Sequence, residues 1–217
     1  MIEDTDEVML KIILIGEAGV GKTSIISQFI DNFFDSDIPT SIGASFSSTN
    51  LNFNNGKSIK VELWDTAGQE RYRSITRAFF HNSAAAILVY DITSKHSFEE
   101  LKNYWIREIQ ESIGENLIIA IVGNKSDLLE SEEVKEEEAK KFAKDNNALF
   151  YQTSAKISSG IKDLFTGIIL KYTGWKDNIK LIDNDNQSNE FQKSNSSKKN
   201  DNIKLKNDKK EKKKKCC

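Results

Sequence analysis

A glycine-rich segment near the N-terminus limits the possible folds of this chain more than any other part of it. Gly16–Thr23 has the spacing G-x-x-x-x-G-K-T, follows the apolar run Val8–Ile15 and leads into a helical pattern that opens at Lys22. Between a strand and a helix, this spacing is typical of loops that bind phosphate groups through backbone N–H groups and the helix N-terminus. Lys22 would place a positive charge on the terminal phosphates, and the Thr23 hydroxyl can ligate Mg²⁺. The alternative is a glycine-rich turn that binds no ligand.

Six segments have the composition of β-strands. Their bounds are Val8–Ile15, Ser45–Phe53, Ser58–Asp65, Ala84–Tyr90, Leu117–Gly123 and Leu149–Thr153. The second and third flank a turn sequence, Asn54-Asn55-Gly56, which predicts a β-hairpin. Most of the others are continuous apolar runs separated by helical patterns, which indicates parallel strands buried on both faces. We predict an α/β fold with a six-stranded, mostly parallel sheet, one antiparallel hairpin strand and helices on both faces.

Helical patterns separate these strands. They are the segment that opens at Lys22, then Ser97–Glu111, Val134–Asp145 and Ile161–Tyr172. Ser97 is predicted to be the N-cap of its helix, because a serine hydroxyl can accept from the free N–H groups of the first turn. The segment Val134–Asp145 has glutamates followed by lysines, an order that supports i,i+4 ion pairs.

Charge and composition divide the chain into three predicted parts: a flexible N-terminus over 1–7, a folded domain over 8–173 and a disordered tail over 174–217. The tail is rich in Asn, Lys, Ser and Asp, and such a composition cannot bury enough apolar surface to fold. Lys193–Cys217 has eleven lysines against three acidic residues, a charge of +8; since the whole chain carries −2, the rest carries −10. A body this acidic argues against nucleic-acid binding, and the basic end indicates an anionic surface as a partner.

Several classes of protein are excluded by what the sequence lacks. No apolar run approaches the ~18 residues of a membrane span, so an integral membrane protein is not expected. The acidic N-terminus has no apolar signal region, and we expect a cytosolic chain. The two cysteines, Cys216 and Cys217, are adjacent at the C-terminus, which argues against a disulfide framework and a cysteine-based zinc site.

A second loop, Asp65–Glu70, follows the predicted hairpin. An aspartate at a strand end can bind Mg²⁺ directly or through water, so Asp65 is a candidate ligand. Gly68 would let its backbone N–H approach a γ-phosphate closely, and Gln69 can orient a water for in-line attack. In isolation the same residues could form an ordinary surface turn.

Two more loops follow predicted strands and suit a purine base. Asn124-Lys125-Ser126-Asp127 offers the Asp127 carboxylate, an acceptor that matches the paired N1–H and N2–H₂ donors of guanine, whereas adenine offers neither of these donors. In Ser154-Ala155-Lys156, the N–H of Ala155 can donate to a purine O6 and the stem of Lys156 can cover the base. Because all four loops follow strands of one parallel sheet, they meet at one edge, where ligands bind in open α/β folds.

With these loops in place, the sequence resembles the Ras-like small GTPases, and within them the Rab family. The resemblance covers residues 8–173 and the terminal Cys216-Cys217, and implies a P-loop NTPase fold of the Ras-like G-domain type. The Rab features are Ile42-Gly43-Ala44-Ser45-Phe46, the run from Trp64 to Arg73, and Thr153-Ser154-Ala155-Lys156. The first of these looks like the early-endosomal branch of Rabs.

The resemblance assigns a role to each matching position. The residues that wrap the phosphates of GTP or GDP are Ala18, Gly19, Val20, Gly21, Lys22, Thr23 and Ser24, with Gly68 at the γ-phosphate. The residues around the guanine are Phe34, Asn124, Lys125, Asp127, Ser154, Ala155 and Lys156. The Mg²⁺ ligands are Thr23, Ser41 and Asp65, the catalytic residues are Gln69 and Lys22, and the effector-facing residues are Ile42, Phe46, Trp64 and Phe79.

Several features depart from the family pattern. Ser41 stands where the family has a threonine, so either Ser41 ligates Mg²⁺ or the register shifts by one residue to Thr40. Ala18 replaces a glycine or serine and would crowd the transition state, so hydrolysis without an activating protein is expected to be slow. The helix around Tyr104 and Trp105 is one residue longer than usual.

The double-cysteine end implies geranylgeranylation of Cys216 and Cys217, although one or both could be modified. Two lipid chains with a lysine-rich segment would suffice for stable anchoring on the cytoplasmic face of an internal, possibly endosomal, membrane. The resemblance implies a monomer that meets an activating protein, an exchange factor, effectors, a GDP-dissociation inhibitor and the prenylation machinery. Two alternatives remain: a GTP-loaded membrane scaffold with negligible turnover, and an ATP-using P-loop enzyme.

Overall fold

The computed structural model describes residues 8–39, 41, 43–66, 79–112, 117–175 and 179–182. Its six strands are β1 Val8–Ile15, β2 Ser45–Asn52, β3 Ser58–Asp65, β4 Ala85–Asp91, β5 Ile118–Asn124 and β6 Leu149–Gln152. They form one sheet in the order β2-β3-β1-β4-β5-β6. The β2–β3 pair is antiparallel and every other pairing is parallel. The predicted fold class is confirmed.

The sheet is covered on both faces, and its central strands β4 and β5 are apolar except near their carboxyl ends. All seven residues of β4 are buried. Along β1, side chains alternate between two cores, since neighbouring residues of a strand point to opposite faces. Leu10, Ile12 and Leu14 lie in one core, whereas Ile13 and Ile15 lie in the other. The predicted alternation of strands and helices therefore produces a three-layer arrangement.

The helices begin and end close to the predicted positions. They are α1 Lys22–Asp31, α2 Lys95–Glu100, α3 Ile106–Ser112, α4 Glu136–Asp145 and α5 Ile161–Thr173. Helix α4 starts later than predicted because the N–H groups of Glu133 and Val134 donate to the carbonyl of Ile92 and hold that segment outside the helix. In the part of the chain that the structure describes, no helix combines the length and the apolar character needed to cross a bilayer.

The prediction that Ser97 caps its helix is wrong. The helix begins earlier, at Lys95, and the N-cap is Ser94, whose side chain accepts from the N–H of Ser97 at 3.3 Å. Ser97 lies in the first turn, where its hydroxyl donates to the carbonyl of Ser94 at 2.8 Å. It also accepts from the N–H of Asp91 at 3.0 Å, which ties the helix to the end of β4.

A π-helical stretch, Leu101–Trp105, joins α2 to α3. It includes Tyr104 and Trp105, around which the sequence comparison predicts one residue more than the Rab pattern. A π turn takes up one more residue per turn than α-helical geometry does. Leu101 and Trp105 both stay buried in the core, so the apolar face of the helix is maintained across the wider turn.

Packed contacts continue beyond the predicted domain boundary at residue 173. The Trp175 ring lies edge-on against Phe53, with 5.2 Å between ring centroids. The N–H of Asn54 donates to the carbonyl of Lys180, and the N–H of Lys180 donates to Asn54 Oδ1, both at 3.0 Å. Leu181 forms an isolated bridge with Phe53. This segment, 175 and 179–181, lies at the hairpin turn and contacts Phe53 through the apolar residues Trp175 and Leu181. The three-part division of the chain itself remains a prediction.

Candidate functional site

One cavity of about 410 Å³ lies at the carboxyl edge of the sheet, beyond the ends of β1, β5 and β6. Its lining at one end comes from the glycine-rich loop and the start of α1: Ala18, Gly19, Gly21, Lys22, Thr23 and Ser24. At the other end lie Phe34, Asn124, Lys125, Asp127, Ala155 and Lys156, with Ser41 also in the lining. Segments that are far apart in sequence therefore meet around one volume, as the strand-end argument predicts.

The glycine-rich loop is held against β5 by a buried amide. The Asn124 side chain donates to the carbonyl of Val20 at 2.8 Å, and its own oxygen accepts from the Thr153 hydroxyl at 3.1 Å. Gly21 has φ of 96°, and a Cβ there would lie 2.3 Å from Asn124 Nδ2. Glycine is required at this position because the backbone is left-handed and the amide leaves no room for a side chain. Val20 itself is buried beside the cavity rather than in its lining.

The ammonium group of Lys22 is buried at the end of the cavity that the glycine-rich loop lines. Only 5% of the residue is exposed, and Nζ donates to the carbonyls of Gly16 at 2.9 Å and Glu17 at 2.8 Å. Burial lowers the pKa of Lys22 to about 8, while the charges of Asp65 and Glu17 oppose that shift. A buried cation whose hydrogen bonds go to neutral carbonyls is stabilised when an anion binds beside it.

Three oxygen-bearing side chains meet next to Lys22. The Thr23 hydroxyl donates to Asp65 Oδ2 at 2.6 Å and lies 2.9 Å from the Ser41 hydroxyl. Ser41 also donates to Asp65 Oδ2 at 3.3 Å. Burial raises the pKa of Asp65, against the opposing effects of the Thr23 hydrogen bond, the Lys22 charge and the Ser41 hydrogen bond.

This oxygen cluster fits a magnesium ion. Asp65 Oδ1 is buried and has no hydrogen-bond partner among the described residues, so one carboxylate oxygen is available as a ligand. Within the same residues no group of three or more His, Cys, Asp or Glu could hold a metal ion. Mg²⁺ is commonly bound by one or two carboxylates together with phosphate oxygens and water. One carboxylate and two hydroxyls beside a phosphate-binding loop match that requirement.

The opposite end of the cavity is organised around Asp127. Its Oδ1 accepts from the buried Ser154 hydroxyl at 2.5 Å, and the same hydroxyl accepts from the N–H of Ile157 at 3.3 Å. Ala155 is only 3% exposed overall, although it contributes to the cavity lining. Phe34 packs against the core beneath the cavity. The carboxylate is thus oriented by its neighbours and keeps acceptor capacity for a ligand.

Sequence reasoning missed Asp91, the last residue of β4. Its Oδ2 lies 2.6 Å from Nζ of Lys125, which has a left-handed backbone with φ of 66°. Its Oδ1 accepts from both the N–H and the hydroxyl of Thr93, at 2.8 and 2.7 Å. The signal was present, because Asp91 directly follows a buried apolar run at the same edge as Asp65 and Asn124.

The predicted effector-facing aromatic residues form a row on the sheet. The ring centroids of Phe46 and Trp64 are 5.1 Å apart, and those of Trp64 and Phe79 are 5.2 Å apart. Phe46 is 49% exposed, whereas Trp64 and Phe79 pack against the core. Nζ of Lys11 lies 5.0 Å from the Trp64 ring centroid. The row therefore runs from the exposed ring of Phe46, on β2, to the interior of the protein.

Some predicted site residues lie outside the described residues. They are Thr40, Ile42, Gly68, Gln69, Cys216 and Cys217. Their roles stay predictions, and so does the choice between Ser41 and Thr40 as a magnesium ligand.

Comparison with known proteins identifies a family model and several relatives that match most of this chain. The family model "Ras family" matches residues 11–173. The GTP-binding protein ypt3 of Schizosaccharomyces pombe is 41% identical over 167 residues, 77% of each chain. The Ras-related protein Rab-22A of Homo sapiens is 44% identical over 159 residues, which is 73% of this chain and 81% of that protein. The Ras-related protein Rab-31 of Rattus norvegicus is 45% identical over 159 residues, 73% of this chain and 80% of that protein.

Proposed function

Since this chain belongs to the Ras family, whose members are GTPases, we propose that it works as a Rab-type switch. It binds GTP or GDP in the cavity at the carboxyl edge of the sheet and hydrolyses GTP to GDP and phosphate. In the GTP form it recruits effectors to a membrane during vesicle traffic. The observation that carries this proposal is the arrangement of one cavity, with the buried Lys22 and the oxygen cluster at one end and Asp127 at the other.

Each end of the cavity has its own task. Backbone N–H groups of the glycine-rich loop and Lys22 bind the phosphates, and the left-handed glycines allow the backbone to approach them closely. Thr23, Ser41 and Asp65 hold Mg²⁺, which when bound neutralises charge on the phosphate oxygens. Asp127 accepts from the guanine edge, the N–H of Ala155 donates to O6, and Phe34 covers the ring.

Hydrolysis depends on positioning more than on covalent chemistry by the protein. Gln69 orients the attacking water, and Lys22 stabilises charge that develops on the transferred phosphoryl group. The Ala18 side chain lines the cavity and crowds the reacting groups, which makes unaided hydrolysis slow. An activating protein supplies the missing stabilisation.

Loss of the γ-phosphate changes the surface that partners meet. In the GTP form, the N–H of Gly68 would donate to the terminal phosphate and Ser41 would ligate Mg²⁺, and hydrolysis would release the segments that carry them. Ser41 lies just before β2, and Asp65 ends β3, so both are connected to the hairpin that carries Phe46 and Trp64. The aromatic row thereby responds to the state of the nucleotide.

Membrane attachment is proposed to reside in the tail. Cys216 and Cys217 carry geranylgeranyl groups, and the C-terminal lysines add attraction to anionic lipid. The proposed membrane is early endosomal, an assignment that rests on the resemblance of the Ile42–Phe46 motif. The partners are an exchange factor, an activating protein, effectors, a GDP-dissociation inhibitor and the prenylation machinery.

Competition for the cavity tests the ligand. Excess GTP or GDP should displace a fluorescent GDP from the purified full-length protein in the presence of Mg²⁺, whereas excess ATP should not. Asp127→Asn should abolish this guanine preference, because an amide presents a donor where the base also presents donors. A protein that prefers ATP would overturn the proposal in favour of an ATP-using enzyme.

Single-turnover hydrolysis tests the activity. Wild-type protein loaded with GTP should convert it slowly to GDP, and faster with a Rab-directed activating protein. Gln69→Leu should abolish the acceleration and leave GDP affinity unchanged. Absence of turnover under both conditions would favour the alternative, a GTP-loaded membrane scaffold.

A further inference from the structure

We infer that Gln28 is a positioning residue that couples the phosphate-binding helix to the guanine-binding loop and slows nucleotide release. The inference rests on the proposed GTP/GDP site. Gln28 lies on α1, whose first turn carries Lys22 and Thr23. It belongs to none of the motifs that predict the site, and it does not line the cavity.

The side-chain amide of Gln28 forms the contact between the two elements. It is 7% exposed, and Nε2 donates to Ser158 Oγ at 3.1 Å and to Asn32 Oδ1 at 2.8 Å. A primary amide has two N–H donors, so these two acceptors use both and set the orientation of the group. Asn32 caps the C-terminus of α1 with φ of 50°, which places its side chain at the end of the helix beside Gln28.

The loop that receives this hydrogen bond is closed on itself. Ser154 and Ser159 exchange two backbone hydrogen bonds, each 3.0 Å long. Between them, the backbone of Ser158 is left-handed, with φ of 57°. Because the ends are bridged and Ile157 N–H donates to Ser154 Oγ, a restraint on Ser158 also restrains Ser154.

Ser154 transmits that restraint to the base. Its hydroxyl donates to Asp127 Oδ1, the proposed guanine acceptor, and the next residue, Ala155, supplies the proposed O6 donor. Gln28 therefore fixes the distance between the part of the site that binds phosphates and the part that binds guanine. The buried Asn124 amide performs the same task on the other side, through the carbonyl of Val20.

A nucleotide that is held at both ends leaves when the ends separate. Loss of one neutral hydrogen bond between them should accelerate release about two- to tenfold. Hydrolysis should be unaffected, because Gln28 touches neither the phosphates nor the Mg²⁺ ligands. The acceleration should have the same size with Mg²⁺ and with EDTA, because the contact lies at the base end of the site.

The experiment measures release of methylanthraniloyl-GDP from the full-length protein after addition of excess GDP. Gln28→Met removes both donors at similar volume, and Ser158→Ala removes the acceptor without altering the backbone requirement. Each should accelerate release, and the double variant should release no faster than the faster single variant, because both changes remove the same Gln28–Ser158 hydrogen bond. Ser159→Ala is the matched control in the same loop and should change the rate less than twofold.

Two results would overturn the inference. The first is unchanged release in Gln28→Met or Ser158→Ala. The second is a double variant whose effect equals the product of the single effects, which would mean that the residues act separately through packing. Failure of the proposed function is distinguishable, because wild-type protein would then take up no methylanthraniloyl-GDP at all.

Discussion

The ion pair between Asp91 and Lys125 provides a sharp test of how the base end of the site is organised. Asp91→Asn replaces one carboxylate oxygen by an amide and retains Oδ1 as the acceptor for Thr93. The turn after β4 should therefore survive, and the change is confined to the 2.6 Å contact between Oδ2 and Nζ of Lys125. Without that contact Lys125 is no longer held across the cavity wall.

The expected magnitude follows from the exposure of the two side chains. Lys125 is 35% exposed and Asp91 is 11% exposed, so solvent screens the pair and its contribution is closer to that of a surface pair than a buried one. We expect a loss of about 1 kcal/mol in GDP binding, which corresponds to about fivefold in the dissociation constant.

Equilibrium titration with a fluorescent GDP, in parallel with thermal unfolding, measures this loss. Asp145→Asn is the matched control, because Asp145 is exposed at the end of α4 and should leave affinity unchanged. The reasoning would be refuted if Asp91→Asn bound GDP as well as or better than wild type. Tighter binding would mean that the negative charge near an anionic ligand matters more than the orientation of Lys125.

Three further substitutions test other parts of the structure. Tyr90→Phe removes a buried hydroxyl that has no hydrogen-bond partner among the described residues, and should raise the free energy of unfolding in urea by up to about 1 kcal/mol. Burial also raises the pKa of Tyr90 above its unfolded value of about 10, so wild type loses stability as the pH rises past 10, because the unfolded state then loses the proton first; the variant should lose less stability than wild type between pH 10 and pH 11. Trp175→Ala removes the ring packed on Phe53 and should cost about 1–2 kcal/mol of stability without changing GDP release, since the hairpin turn is at the edge opposite the cavity. Gly21→Ala should weaken GDP binding at least tenfold by titration, because the new Cβ meets Asn124 and the left-handed backbone costs about 1–3 kcal/mol; equal affinity would contradict the account of that loop.

Much of the fold followed from local pattern. Continuous apolar runs predicted β1, β4 and β5 within one residue of their observed ends, because a strand buried on both faces needs apolar side chains at successive positions. The hairpin followed from its turn sequence, and Gly56 has the positive φ, 75°, that such a turn requires. The start of α2 was harder to predict from the sequence, since Ser94 and Ser97 are equally good N-cap residues by type.

For the candidate site too, some residues were predicted from the sequence and others were not. The glycine-rich loop, Asp65, and the loops that carry Asp127 and Ala155 were predicted because each follows a strand, and the ends of parallel strands share one edge. Gln28 and Asp91 were not predicted. Their partners, Ser158 and Lys125, are remote in sequence, and no local pattern distinguishes these polar side chains from others on a helix or at a strand end.

The amino-acid sequence by itself determined which segments become strands, which loops carry the candidate phosphate- and base-binding groups, and which family the chain resembles, because those properties depend on residue type at short spacing. Only the tertiary structure decided which side chains that are far apart in the sequence come into contact. These contacts are the Thr23–Ser41–Asp65 oxygen cluster, the Gln28–Ser158 hydrogen bond, and the packing of Trp175 and Leu181 on the hairpin turn. The physical reason is that hydrogen bonds and ion pairs depend on distances of about 3 Å, and those distances are set by the packing of the whole sheet.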